Sequence, residues 1–316
     1  MRVALTGGGG FIGSHVLARM VGAGMDVTLV GPDPGRSRYA ASLIASRRVR
    51  FVRCDRSFRD TARLRAAVGD VDAVLLLGYV APSATDPVGR LSEEIEHNVV
   101  PLVRLLRGLE GCPRYVFAST LEVYGGSEAD PVDDPRPVTP FGITKLAAEC
   151  SLRMFADGLA EATILRFASV YGPNEPDEGL VARLIDAAFA GRPLVYDGDG
   201  NEERDYVHVC DVAEATLAAL QREGGGVYEI GTGVGVRTLD LARLVAELAG
   251  AKSPVVSPAH RADEPRPKRL VAATEGALTA LGFAARRALV DGLREEIGWV
   301  RTKPPCPSRL VLAATA

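Results

Sequence analysis

Residues 2–15 read RVALTGGGGFIGSH, and the fold of the chain turns on that run. RVALTG (2–7) has the composition of a buried strand, and from Ile12 to Ala23 the apolar residues recur at helical spacing. Gly7, Gly10 and Gly13 fall at the join. A tight turn there needs a residue without Cβ, as do the close approach of backbone to a pyrophosphate and the packing of helix on strand. The N–H groups at the start of the helix favour a phosphate. A glycine triplet alone is weak evidence, but strand, turn and helix are the context that makes it a dinucleotide site. The expected cofactor contacts are Gly7, Gly10, Phe11, Ile12 and Gly13, and a glycine turn without a ligand is the plainer alternative.

Outward from this unit the chain keeps alternating. Strand-like runs occur at 26–31, 49–55, 72–78, 114–120 and from 161, with helical runs at 92–109 and 142–156. Strands alternating with helices give βαβ units and a parallel sheet. The apolar runs are nearly continuous, as in strands covered on both faces. After Tyr171 comes a loop rich in Gly, Pro and acids (172–179), then helical runs at 180–191 and 238–249 and a Pro-punctuated basic segment at 253–269. The expected architecture is an α/β fold, a Rossmann-like doubly wound parallel sheet with a smaller C-terminal α/β substrate lobe. Residues 1–170, joined by about 205–235, form the dinucleotide domain. Residues 171–204 and 236–302 form the lobe, and 303–316 is a tail.

The 316 residues are 47% hydrophobic and carry a formal charge of -3, which gives no electrostatic reason to expect nucleic acid. The opening apolar run is too short for a signal peptide or a membrane span. Cysteines 54, 112, 150, 210 and 306 are scattered without CxxC spacing, so no metal site is expected and a reducing, cytoplasmic setting is.

An acid usually ends the second strand of such a fold and holds the adenosine ribose. Here Gly31 stands in that place, with Asp33 two residues on and Arg36 and Arg38 following. Asp33 reaching back to the ribose fits NAD. Arginines around a 2′-phosphate fit NADP, and a solvated loop is the bland alternative. Asp55 is placed to meet the adenine amino group.

Four further segments follow in order: FASTLEVYG (117–125), PFGITK (140–145), LRFASVYGP (165–173) and ERDYVHVCDVAEA (203–215). With the glycine loop, they resemble the extended short-chain dehydrogenase/reductases, in the nucleotide-sugar epimerase/dehydratase/decarboxylase branch, from Met1 to about Trp299. The resemblance implies hydride transfer from a sugar carbon to the cofactor. It also implies a Tyr base four residues before a Lys, and a Ser or Thr bonded to the same sugar hydroxyl. By position the Lys is Lys145, which also binds the nicotinamide ribose, and the Ser/Thr is Thr120. The Tyr position holds Phe141, one helical turn before Lys145 and without an acid–base group. The family's phosphate-contacting Asn is Ser169, its His-Leu-Ala-Ala reads LLGY (76–79), and its C-terminal RPGD reads RPKR (266–269). Asn98, Arg204, Tyr206, His208 and Asp211 match. The implied substrate contacts are Ser169, Arg204, Tyr206 and Arg266, with Arg269 as a second C-terminal arginine, and Arg204 on the diphosphate.

Read as strand, Glu122 shares a face with Thr120. The resemblance gives dehydratases and decarboxylases an active-site Glu here. Dehydratases also place an Asp just before it, where this chain has Leu121. Glu122 therefore either exchanges a proton with a C–H beside a ketone or orients substrate hydroxyls. For Phe141 three explanations stand open: an engineered Tyr→Phe change, another acid–base (Glu122, Thr120, Tyr79, Tyr124 or Tyr171), or a protein that binds without turnover.

The leading expectation is an NAD(P)-dependent nucleotide-sugar epimerase working through a transient keto-sugar. The alternatives are a dehydratase or decarboxylase, an NADPH-dependent keto-sugar reductase, and a cofactor-binding pseudoenzyme. The partner is a nucleotide-diphosphate sugar. The resemblance also implies a homodimer packed through helices 92–109 and 142–156.

Overall fold

The computed structural model describes residues 1–33, 38–125, 134–157, 160–257 and 267–302. Arg36, Arg266 and the tail 303–316 lie outside the described residues. The N-terminal half winds β1 (Arg2–Thr6), α1 (Phe11–Gly22), β2 (Asp26–Gly31), α2 (Arg38–Ala45), β3 (Arg50–Arg53), α3 (Thr61–Val68) and β4 (Ala73–Leu76). It continues with α4 (Pro87–Glu94), α5 (Val100–Gly108), β5 (Arg114–Thr120), α6 (Pro140–Ala156) and β6 (Glu161–Phe167). β7 (Ser169–Tyr171), α7 (Leu180–Phe189), β8 (Leu194–Val195) and β9 (Glu203–His208) lead to α8 (Val209–Gln221) and β10 (Gly226–Ile230). The chain ends through β11 (Gly235–Arg237), α9 (Thr238–Ala249), β12 (Val255–Val256), β13 (Arg269–Leu270), α10 (Glu275–Leu281) and α11 (Leu289–Thr302).

The large sheet has seven strands in the order β3-β2-β1-β4-β5-β6-β10, all parallel. This is the doubly wound Rossmann-like arrangement. The order reverses between β1 and β4, which opens a crevice at the carboxyl ends of those strands. Alternate residues of each strand face opposite layers. Val3, Leu5, Leu29, Leu75 and Val116 pack with Val16, Leu17 and Met20 of α1 and Val212 and Ala215 of α8. Ala4, Val30, Val74, Leu76 and Phe117 pack with Leu102 and Leu105 of α5 and Leu152 of α6. Burial on both faces explains the unbroken apolar runs.

β6 ends at Phe167. Ala168 donates to Ile230 O at 2.9 Å, and the chain then leaves the sheet as β7 to pair with β9. β9 also pairs with β11 and β13, and the chain returns to the large sheet with α8 and β10. Val181, Leu184 and Ile185 of α7, Leu241 and Val245 of α9, and Leu293 and Ile297 of α11 form the separate core of this second layer.

The helix expected over 92–109 begins earlier and is interrupted. Asp86 accepts from Gly89 N at 2.8 Å and caps α4, with Pro87 in its first turn. Residues Ile95–Val99 then form a π-helical turn before α5. Pro101, in the first turn of α5, has no N–H to return to the preceding turn, which favours the wider winding.

Candidate active site

The glycine loop closes where β1 feeds α1. Gly7 has φ +73°, and a Cβ there would lie 2.7 Å from the backbone of Leu77 and Gly78. A Cβ on Gly13 would lie 2.1 Å from Gly7 O. Gly10 is the N-cap of α1, with no side chain capping the helix and no acid in its first turn. Phe11 and Ile12, both half-buried, open that helix. The uncapped N–H groups and the excluded Cβ atoms make a cradle that fits a dinucleotide pyrophosphate.

On the adenosine side Asp33 lies beyond the end of β2, exposed and 3.9 Å from Arg56 Nη2. Arg38 opens α2. Asp55 lies beyond the end of β3 and accepts from Ser57 N at 2.8 Å. The Ser57 hydroxyl is the main cause holding its carboxyl below the usual range.

At the other end of the cleft, Thr120 ends β5, and its Oγ1 accepts from Glu122 N at 3.2 Å. That bond caps a 3₁₀ turn over Leu121–Tyr124, so Glu122 is not on a strand and the shared-face argument does not hold. The Glu122 carboxylate instead accepts from Thr139 Oγ1 at 2.8 Å, and Thr139 caps α6 by accepting from Gly142 N at 3.0 Å. Glu122 thereby fixes the start of the helix that carries Phe141 and Lys145. Leu121, at the dehydratase Asp position, is buried in the core.

Lys145 donates from Nζ to Ala118 O at 2.8 Å. Its ammonium lies 5.0 Å from the Phe117 ring centre, 5.4 Å from that of Tyr79 and 5.6 Å from that of Phe141. Burial pushes it down to about 8, against the opposing pull of Glu94 and Glu149. Phe141 packs edge-on against Tyr79, centroids 5.1 Å apart.

Sequence reasoning missed Glu94. It is buried near the end of α4, where Oε2 accepts from Thr144 Oγ1 at 2.6 Å and Oε1 has no hydrogen-bond partner. It also missed the ion pair beneath the site. Arg166 Nε and Nη2 bond Glu149 at 3.0 and 2.7 Å, and both residues are buried. Arg166 Nη1 donates to Tyr124 Oη at 2.6 Å, which donates to Glu229 Oε1 at 2.5 Å. Ser119 donates to the same Glu149.

The second layer supplies the remaining residues. Arg204 and Tyr206 lie two apart on β9 and share a face, with Ser169 in register beside Tyr206. Tyr206 is buried, which pushes its phenol up to about 12. Arg204 is half-buried, and its side chain makes no hydrogen bond or ion pair among the described residues. Arg269 instead pairs with Glu203 at 3.2 Å. Asn98, in the π-helical turn, bonds Val80 N and O at 2.7 and 2.9 Å. His208 caps α8 through Nδ1, and burial holds it neutral, down to about 4. Asp211 accepts from Arg287 N at 3.0 Å. The loop after β7 reaches back to α1, where the His15 ring bonds Pro173 O at 2.8 Å.

Farther out, Glu175 and Glu296 are buried against each other. Among the described residues Glu175 Oε2 and both Glu296 oxygens lack a donor. A shared proton supplies one, and burial pushes both carboxyls upward. Stability from this pair is full below the unfolded value of 4.5 and declines as pH rises through the raised folded values. The urea midpoint should therefore fall between about pH 5 and pH 8, and Glu175→Gln should flatten that slope. Equal slopes in the two proteins would show that the pair does not share a proton.

Among the described residues no helix is long and apolar enough to cross a membrane, and no cluster of three His, Cys, Asp or Glu could hold a metal. Residues 3–231 match the NAD dependent epimerase/dehydratase family. A UDP-glucose 4-epimerase of Mycolicibacterium smegmatis is 31% identical over 319 residues, covering 96% of this chain and 99% of its own. A dTDP-D-glucose 4,6-dehydratase of Mus musculus is 27% identical over 318 residues, covering 95% and 88%. The structure of MoeE5 in complex with UDP-glucose and NAD superposes with a TM-score of 0.84 at 32% identity, covering 96% of this chain and 99% of that one. Fold, glycine cradle and relatives agree: the chain belongs to the NAD-dependent epimerase/dehydratase family, within the extended short-chain dehydrogenase/reductases.

Proposed function

We propose that the chain is an NAD-dependent epimerase of UDP-sugars. The observation that carries this reading is the Lys145 ammonium, ringed by three aromatic side chains and bonded to Ala118 O, two residues before Thr120 at the carboxyl end of β5. Bound NAD would supply a hydride acceptor and donor. The Gly7–Gly13 cradle would hold its pyrophosphate, with Asp33 toward the ribose and Asp55 toward the adenine. Lys145 would donate to the nicotinamide ribose, and its charge favours loss of a proton from the sugar hydroxyl. Thr120 orients that hydroxyl, and Glu122 steadies α6 through Thr139. Among the described residues the Arg204 side chain has no partner to release before it meets a diphosphate, and Tyr206 and Ser169 lie on the same layer. The uridine reading comes from the relatives, including the epimerase and the MoeE5 complex.

Leu121 separates this reading from a dehydratase. Its buried side chain offers no acid for the loss of water. Cofactor released on denaturation should be NAD, identified by mass spectrometry. The protein should equilibrate UDP-glucose or UDP-glucuronic acid with an epimer, followed by NMR, without net consumption of cofactor. Release of water or CO₂ would replace the reading with a dehydratase or decarboxylase. Net consumption of NADPH would replace it with a reductase, and no conversion of any sugar nucleotide would leave a pseudoenzyme.

The assembly is a homodimer through the adjacent α4, α5 and α6, as we read the exposed apolar side chains there. Val88, Val100 and Val103 stand out on the first two helices, and Ile143 and Met154 on α6. Light scattering should give twice the 33.4 kDa chain mass. Met154→Glu should give monomers, and a monomeric wild type would refute the arrangement.

A further inference from the structure

Tyr79 stands where Phe141 leaves a gap. It lies just past β4, in a segment held by Thr6, whose Oγ1 accepts from Gly78 N at 3.2 Å, and by both Asn98 bonds to Val80. Its ring is edge-on to Phe141 at 5.1 Å, with the Lys145 ammonium 5.4 Å from its centre. At 39% relative exposure it is part-open to solvent, while Phe117 of the same cluster is buried. The other tyrosines considered for the role are committed. The Tyr124 hydroxyl is held by Glu229 and Arg166, and the Tyr171 hydroxyl donates to Leu289 O at 3.4 Å. Beside Tyr79 is Glu94, buried, with Oε1 lacking a donor among the described residues.

We propose that Tyr79 is the catalytic acid–base of this site, with Glu94 as the holder of its proton, in place of a phenol at position 141. The inference rests on the epimerase reading. In the oxidising half, the sugar carbon loses its hydrogen with both electrons to the nicotinamide. The O–H bond of its hydroxyl breaks, and that proton passes to Tyr79 Oη. The phenol's own proton passes to Glu94 Oε1. The carbon is oxidised to a ketone and the nicotinamide is reduced. The return step reverses each transfer and needs no other reagent. Burial and the Glu94 carboxylate keep the phenol protonated between turnovers, which suits a relay rather than a standing phenolate. Arg90 and Lys145 face it as cations, and Glu122 faces it as a second acid. The Tyr79 ring thus stands as near the Lys145 ammonium, at 5.4 Å, as the Phe141 ring does, at 5.6 Å.

The test compares wild type, Tyr79→Phe, Tyr79→Phe/Phe141→Tyr and Glu94→Gln, each with NAD bound, on the UDP-sugar that the wild type converts. Turnover of Tyr79→Phe should fall about 10²–10⁴-fold, with KM and calorimetric UDP affinity within about threefold of wild type. The double variant, with a phenol at 141, should recover at least about tenfold of that loss. Glu94→Gln, with no carboxylate to take the proton, should lower kcat while KM and UDP affinity stay within about threefold of wild type. Unchanged turnover in Tyr79→Phe, a UDP affinity that falls with turnover, or a double variant no faster than the single one would each overturn the assignment. Unchanged kcat in Glu94→Gln would remove Glu94 from it. These outcomes leave the epimerase reading standing, whereas a wild type inert toward every sugar nucleotide overturns both.

Discussion

Arg166→Met should destabilise the folded chain by about 3–5 kcal/mol, read from urea unfolding. The Arg166 guanidinium is 1% exposed and its partner Glu149 is fully buried. The two-pronged bond joins β6 to α6, Tyr124 extends it to Glu229 on β10, and Ser119 brings in β5. Removing the guanidinium leaves the Glu149 carboxylate in a low-dielectric interior, with the Ser119 hydroxyl, the more distant Arg153 at 3.7 Å and the field of Lys145 as weaker compensation. The penalty is mainly that stranded charge. Arg166→Met/Glu149→Leu should therefore recover much of the loss, since an apolar pair strands nothing. A single variant within about 1 kcal/mol of wild type would show that water reaches the pair.

Gly13→Ala should weaken NAD binding about 100-fold, because the added methyl displaces backbone at a cost near 3 kcal/mol. The new Cβ would lie 2.1 Å from Gly7 O and 2.8 Å from Gly8 Cα, and neither backbone atom can rotate away. Relief must come from moving the loop off α1, which takes the uncapped N–H groups out of line with the pyrophosphate. Calorimetry with NAD on protein stripped of cofactor measures this directly. Binding within about threefold of wild type would show that the loop shifts without disturbing the cradle.

The glycine loop and the parallel sheet were legible because they rest on local rules: residues without Cβ at a tight join, and apolar runs long enough for strands covered on both faces. The lysine, threonine and arginine of the cleft came from ordered motifs. What failed depended on longer-range facts. Glu122 was read as strand because ASTLEVYG has strand composition, yet the Thr120 hydroxyl caps a turn and ends the strand. Glu94 is one acid among several in SEEIEH, and only the packing of α4 on α6 shows that it alone is buried. Tyr79 was one of three tyrosines that could replace the missing phenol. The ring contact with Phe141 and the commitments of Tyr124 and Tyr171 separate them.

The π-helical turn at Ile95–Val99 gives this part of the chain a strict counting rule. Each residue of an α-helix turns its neighbour by about 100°. Deleting one residue between 95 and 99 would restore regular winding and swing α4 by about that angle relative to α5. Glu94 would leave Thr144 and Tyr79, and Asn98 would lose the backbone of Val80. Point substitutions on the outer face of this turn are tolerable, whereas a change in its length is not. Length variation among descendants of this chain should fall in the loop before α4, and the spacing from Glu94 to Asn98 should be inherited as a unit.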